Sequence, residues 1–177
     1  MLDLQHLIEF REIEHLKYRY LRGLDTHDWA LLEACFTQDA VAWYSGGTFS
    51  HAGRDQIVAF LKELIPPAFV SSHIVVHPEL KLTSPTTAEG IWRLQDVVYF
   101  TAPNPAFAHG KIEGGEEMTG AGYYYEDYRK EAGDWRISSI GYVRIYEVIE
   151  RKAARAHIDL DCDPLRGVRA PLSPADL

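Results

Sequence analysis

The chain is poor in cysteine, in basic residues and in long apolar runs. Its two cysteines, Cys35 and Cys162, lie in unlike surroundings, and neither has the spacing of a metal ligand. This pattern disfavours a disulfide framework and favours a reducing, cytoplasmic setting. There is no stretch of eighteen apolar residues, so we expect no membrane helix. Charged residues scattered through the first twelve positions argue against a signal peptide.

The charge balance also excludes several partners. Twenty-six acidic residues against eighteen basic ones give a formal net charge of −8. Proteins that bind nucleic acid or anionic membranes need a basic surface, so we expect neither partner. A hydrophobic fraction of 46% and a length of 177 residues suit one globular domain with a sizeable core.

Hydrophobic periodicity predicts helices first and strands afterwards. Apolar residues spaced three or four apart predict a helix over 5–24, a second from residue 29 and a third after Gly53. Alternating patterns then predict strands, after an early short one at 39–44, at 72–76, 80–82, 88–101, 120–130 and 135–147. This order predicts an α+β fold, with N-terminal helices packed on a strongly curved, antiparallel or mixed sheet. We expect one domain over 1–150 and an extended tail over 151–177.

Asp96 is the most unusual residue of the predicted strands. Because side chains alternate along a strand, one face of 90–100 carries Trp92, Leu94, Asp96, Val98 and Phe100. An unpaired carboxylate on such an apolar face is costly, so Asp96 should have a partner or be pushed towards its neutral form. It is therefore a candidate for chemistry.

The first helix supplies two further candidates. Tyr20 lies on the apolar stripe, so its hydroxyl should point into the core and seek a hydrogen-bond partner. It is either a satisfied core tyrosine or a donor in a site. Asp25 follows at the end of the helix and is either a cap for the next helix or a functional carboxylate.

Two strand residues complete the set. His73 is a candidate base, because a histidine can act as a general base where a carboxylate holds its ring. Arg144 shares a strand face with Tyr142 and needs an anionic or strongly polar partner if it points inward. Either a structural ion pair or a functional role would explain an inward-pointing Arg144. Together the five residues are the parts of a cofactor-free acid–base site.

Four segments carry a resemblance to a known family. The chain resembles the SnoaL-like branch of the nuclear transport factor 2 superfamily, and more narrowly the bile acid 7α-dehydratase group. The matching segments are 17–25 (KYRYLRGLD), His73 followed by Pro78-Glu79, 92–96 (WRLQD) and 141–147 (GYVRIYE). The likeness runs from about residue 8 to 150. It implies a cone-shaped α+β barrel with a pocket at its open end.

By position, the resemblance carries the family's pocket residues to five places: Tyr20, Asp25, His73, Asp96 and Arg144. It implies a cofactor-independent, metal-free lyase, most simply a dehydratase, acting on an apolar polycyclic or aromatic hydroxy compound. In this hypothesis His73 removes a proton from carbon, Asp96 accepts a hydrogen bond from the other ring nitrogen, and Tyr20 donates to the oxygen that gains charge. Asp25 and Arg144 orient Tyr20 or polarise a substrate oxygen.

Alternative reactions and a non-catalytic role remain open at this point. The same residues suit isomerisation, cyclisation or carbon–carbon cleavage, and the fold also hosts non-catalytic small-molecule carriers and interaction domains. The aromatic late strands and the habit of such barrels to pair through the outer sheet surface predict a homo-oligomer, dimer or trimer. The expected partner is a small apolar hydroxylated substrate.

Overall fold

The computed structural model describes residues 3–105, 107 and 112–152. Three α-helices lie in the first part of the chain: α1 (Leu4–Asp25), α2 (Trp29–Ala34) and α3 (Arg54–Leu64). Asp3 caps α1 by accepting from the backbone N–H of His6, and Asp28 caps α2 by accepting from Leu31. Asp25, weighed above as a cap for α2, is therefore not that cap. All of the expected tail beyond Lys152 lies outside the described residues.

The strands of the described residues form one open, mixed sheet in the order β2-β1-β6-β5-β4-β3. Strands β1 and β6 pair in parallel, and the other neighbours pair antiparallel. The predicted α+β class with helices packed on a mixed sheet is confirmed. The strand bounds are β1 (Phe36–Tyr44), β2 (Phe49–Ala52), β3 (Phe69–Ser84), β4 (Thr87–Phe100), β5 (Glu116–Glu131) and β6 (Asp134–Arg151).

Strand β3 differs from its prediction because one strand runs where two short ones were expected. Its pairing with β4 shifts between Val76 and Glu79, where His77 takes a φ of 52°. This irregularity interrupts the alternation of apolar residues without ending the strand. Strand β2 was not predicted, since its four residues are half-buried or exposed and show no apolar alternation.

The core lies between α1 and the inner face of the sheet. Helix α1 buries Ile13, Leu16, Tyr20 and Leu24 in one cluster with Trp92 and its neighbours on β4. Each large side chain buried in this way contributes about 1.5–3 kcal/mol. The inner face of β4 is the one predicted around Asp96, and every member is at most 1% exposed. Within the described residues no helix is both long and apolar enough to span a membrane.

Candidate active site

His73 is held by Asp25, across the junction between β3 and the end of α1. Its ring Nδ1 lies 2.6 Å from Asp25 Oδ1, and its backbone N–H donates to Oδ2 at 2.9 Å. Ser71, two residues earlier on the same face of β3, donates its hydroxyl to Oδ1 at 2.7 Å. A carboxylate that accepts these bonds fixes both the position of the ring and the proton on Nδ1, so Nε2 of the neutral ring carries the lone pair.

Asp96 forms a bidentate ion pair with Arg144. Nη1 and Nη2 of the guanidinium donate to the two carboxylate oxygens at 2.6 and 2.7 Å. Burial lowers the pKa of Arg144, but the hydrogen bonds and charge of Asp96 outweigh burial and raise it above its usual value. Arg144 Nε also lies 3.2 Å from Glu147. Asp96, only 1% exposed, thus has the partner that its burial requires.

A glycine makes this ion pair possible. Asp96 lies opposite Gly120 of β5 in the strand register, and the guanidinium of Arg144 reaches Asp96 across Gly120. A Cβ atom at Gly120 would overlap Arg144 Nη1 and lie 3.0 Å from Asp96 Oδ1. The missing side chain is therefore the space that the guanidinium occupies.

The pairing differs from the one expected from the sequence. His73 and Asp96 are cross-strand neighbours in the register of β3 and β4, so both point to the inner face. However, His73 Nε2 lies 3.9 Å from Asp96 Oδ2, which is too long for a hydrogen bond. The expected short bond between them is absent because each group has a closer partner. Asp25 holds the histidine ring, and Arg144 holds Asp96.

Tyr20 lies on the same inner side but forms no direct pair with these four residues. Its side chain is 1% exposed and packs edge-on against Phe36 and Tyr124. Burial raises its pKa well above the usual value, and the neighbouring phenols of Tyr44 and Tyr124 raise it further. Tyr20 is therefore a neutral phenol that can donate a hydrogen bond.

Four of the five predicted site residues, all but Asp25, line one internal cavity of about 60 Å³. This volume holds a few water molecules. The cavity is lined by sixteen residues, among which are the polar groups of Tyr20, Tyr44, His73, Asp96, Tyr124, Tyr142 and Arg144.

A larger outer pocket adjoins the cavity. It has a volume of about 410 Å³, within the range of small-molecule sites. Four residues line both spaces: Leu64, Phe107, Tyr142 and Arg144. The turn that follows β1 forms another wall, where Ser45 donates or accepts a hydrogen bond with Tyr142 at 2.9 Å. The inner cavity therefore lies behind a pocket large enough for a ring system.

Sequence reasoning missed several members of the site. Tyr124 and Tyr142 were not among the predicted site residues, because aromatic side chains are common in ordinary strands and only the pairing of β5 with β6 brings these two together. Gly120 and Ser71 gave no signal, because their roles depend on cross-strand register and on the approach of α1. Among the described residues no cluster of three or more His, Cys, Asp or Glu side chains is arranged to hold a metal ion.

The chain is similar to a known domain family and to several solved structures. The SnoaL-like domain model matches residues 5–140. A protein from Novosphingobium aromaticivorans, provisionally named a scytalone dehydratase, superposes with a TM-score of 0.67 at 21% identity, over 85% of this chain and 91% of that one. Hexachlorocyclohexane dehydrochlorinase LinA-type3 from Novosphingobium barchaimii gives a TM-score of 0.70 at 18% identity, over 89% and 98% of the two chains. At these identities the superpositions establish the fold. Because the family match spans well over half of its length, the chain belongs to the SnoaL-like domain family.

Proposed function

We propose that the protein is a cofactor-independent lyase of the dehydratase type, with His73 as the base. The observation that carries this proposal is the bond between His73 Nδ1 and Asp25, which leaves Nε2 available to a substrate, 3.9 Å from Oδ2 of the cavity residue Asp96. A base needs a fixed ring, a defined tautomer and access to substrate. His73 is only 10% exposed, so a substrate in the cavity would displace most of the water around it.

The reaction begins when His73 Nε2 removes a proton from a carbon that a neighbouring carbonyl or π system makes acidic. Asp25 then stabilises the imidazolium through Nδ1, the role that the sequence hypothesis gave to Asp96. The electron pair left on carbon moves to expel the hydroxide from the adjacent position. The proton taken by His73 leaves with that hydroxide as water, so the reaction is balanced without a cofactor.

Tyr20 and the Arg144–Asp96 pair stabilise the oxygens. As a neutral phenol, Tyr20 donates to the departing hydroxyl or to the oxygen that gains charge. Arg144 lines both the cavity and the outer pocket, so it can polarise a substrate oxygen while Asp96 keeps its guanidinium in place. Positioned acid–base groups of this kind contribute about 10²–10⁴-fold each.

The two connected spaces favour a small apolar hydroxylated substrate. The hydroxyl and the acidic carbon would enter the inner cavity, and the rings would occupy the outer pocket beside Phe49, Leu64 and Phe107. The names of two structural neighbours, a dehydratase and a dehydrochlorinase, both denote eliminations and support the choice of a lyase. A closer likeness to bile acid 7α-dehydratases, a cytoplasmic location and a homo-oligomer stay predictions.

The test is a screen of pooled steroids and lignin-type aromatics by mass spectrometry, followed by His73→Gln. Loss of 18 mass units identifies dehydration; no change in mass or loss of a one-carbon unit would point to isomerisation or carbon–carbon cleavage. We expect His73→Gln to abolish turnover while the fold is retained. His6→Gln is a matched control, because His6 Nδ1 makes the same 2.6 Å contact with Asp3 on the exposed start of α1. Equal rates in the two variants would refute the assignment.

A further inference from the structure

Lysine–glutamate contacts connect α1 to β5 at two places, and only one of these places lies next to the cavity. Lys17 of α1 contacts Glu126 of β5, and both side chains are completely buried. Glu9 of α1 contacts Lys130 of β5 at 2.7 Å, with partial exposure, and Lys130 also lies 3.5 Å from Glu12 of α1. The Lys130–Glu9 contact is called the peripheral pair. Burying an ion pair costs several kcal/mol of desolvation per ion, and a hydrophobic pair is often equally stabilising. The fully buried pair therefore calls for a reason beyond stability.

The position of the Lys17 ammonium suggests that reason. Its Nζ lies 3.4 Å from the ring centroid of Tyr124 and 4.7 Å from that of Tyr20. Both phenols line the inner cavity. One buried cation therefore lies beside the rings of two tyrosines that line the inner cavity.

Glu126 is fixed by its other contacts. The hydroxyl of Tyr128 donates to its second oxygen, and Trp92 Nε1 donates to Tyr128 at 2.7 Å. Tyr128 and Trp92 are not part of the cavity lining. The carboxylate is therefore anchored among core residues, and Lys17 lies in contact with both Glu126 and the cavity phenols.

We propose that Lys17 is a positioning residue for the proposed lyase, because its charge strengthens Tyr20 and Tyr124 as hydrogen-bond donors. A cation over an aromatic face interacts with the ring electrons. By drawing them away from the phenolic oxygen, it polarises the O–H bond. In a water-excluded site, donors fixed in advance stabilise an oxygen that gains negative charge at little reorganisation cost. The inference rests on the proposed function and adds a second donor, Tyr124, together with the group that tunes both.

The test compares two double variants, each of which replaces one lysine–glutamate pair with uncharged residues. Lys17→Met/Glu126→Gln removes both charges of the buried pair and keeps an acceptor for Tyr128, whereas Lys130→Met/Glu9→Gln does the same to the peripheral pair. Circular dichroism checks that each variant folds. If the first does not, Lys17→Gln/Glu126→Gln replaces it, since two amides can retain a mutual hydrogen bond.

The first measurement needs no substrate. A polyfluorinated tyrosine at position 124, whose fluorine atoms lower the phenol pKa and so offset the rise caused by burial, is titrated by absorbance in each background. The charge of Glu126 raises the pKa of Tyr124, so removing it works against the expected change. A net rise of about one unit in the Lys17→Met/Glu126→Gln background, a tenfold change in the ionisation constant, therefore isolates the effect of the ammonium 3.4 Å from the ring centroid. The peripheral pair should change this pKa by less than a third of that. Equal shifts in the two backgrounds would overturn the inference.

The second measurement separates charge from structure in catalysis. With the substrate found by mass spectrometry, neutralising the Lys17 pair should lower kcat about 10–100-fold and leave KM within about twofold, because the phenols act on charge that develops during the reaction. A shifted phenol pKa with unchanged kcat would refute the catalytic role of the charge. Failure of the proposed function would appear separately, as turnover retained by His73→Gln.

Discussion

Asp25→Asn probes the pairing that most separates this site from its sequence-based description. Asp25 accepts three hydrogen bonds, from Ser71 Oγ, His73 N–H and His73 Nδ1. Asparagine has one acceptor and one donor in place of two acceptors. It therefore cannot reproduce the set in either orientation of its amide.

The two orientations differ in their cost and in the tautomer that they impose on His73. If the amide oxygen takes the place of Oδ1, the NH₂ group faces the backbone N–H of His73, and two donors oppose each other. If the oxygen accepts from that N–H, the NH₂ group faces Nδ1, and the ring must carry its proton on Nε2 to accept. The second orientation costs less and converts the proposed base into a donor.

The expected effects follow from the burial of the site. Asp25 is half-buried, at 22% side-chain exposure, so the loss in stability should be about 1–2 kcal/mol, the lower part of the range for an unsatisfied polar group. Loss of the correct tautomer should lower kcat by about 10²–10⁴-fold, the range for a positioned base. Asp3→Asn, which removes the exposed partner of His6, should change kcat by less than twofold.

The measurements are kcat on the identified substrate and the ¹⁵N chemical shifts of the His73 ring. The wild-type neutral ring should show a protonated Nδ1 and an unprotonated Nε2, and Asp25→Asn should reverse them. A variant with the reversed tautomer and a normal kcat would refute His73 as the base. An unchanged tautomer would refute the role assigned to Asp25.

Three further predictions concern the glycine beside the Arg144–Asp96 ion pair and two buried residues outside the cavity lining. Gly120→Ala should push the guanidinium of Arg144 off its carboxylate partner and reduce kcat about tenfold or more, by analogy with loss of a positioned donor, as measured by steady-state kinetics. Burial raises the pKa of the Cys35 thiol to about 12, so native protein should resist iodoacetamide at pH 8 at this position and react only after unfolding, as followed by peptide mass spectrometry. Burial raises the pKa of Glu9, but its bonds to Lys130 and Trp135 outweigh burial and lower it below 4.5. Its contribution to stability is therefore present above the unfolded-state pKa and lost as pH falls through the folded-state value, so Glu9→Gln should flatten acid denaturation in that window.

The fold was predictable where one periodicity continued for several turns or residues. Helix α1 was expected over 5–24 and spans Leu4–Asp25, because its buried stripe is unbroken. The inner face of β4 was also predicted, since alternation alone identifies it. The prediction failed for β2, whose short partly exposed run has no such signal, and at His77, where an irregularity looked like the end of a strand.

The membership of the site was more predictable than its pairing. A carboxylate on an apolar face, or an arginine that shares a strand face with a tyrosine and points inward, is anomalous from the sequence, because such a group must find a partner. Which partner it finds depends on distances that sequence spacing does not contain. His73 lies opposite Asp96 in the sheet, so strand register favours their pairing. The bonds from Asp25 and Arg144 prevail because the end of α1 reaches β3 and because Gly120 leaves a path for the guanidinium.

The exchange of partners changes the chemistry expected of Asp96. As the support of a histidine, Asp96 would stabilise the charge that His73 acquires. Asp96 instead accepts two hydrogen bonds from Arg144 and fixes that cation where it lines both the inner cavity and the outer pocket. The site therefore combines a base with its own carboxylate, a fixed cation, and two phenols beside Lys17. Negative charge on a substrate oxygen would meet the cation and phenols, while positive charge on His73 would meet Asp25. This separation of charges is what an elimination requires, since proton removal leaves positive charge on the base, while the substrate oxygen and the departing hydroxide gain negative charge.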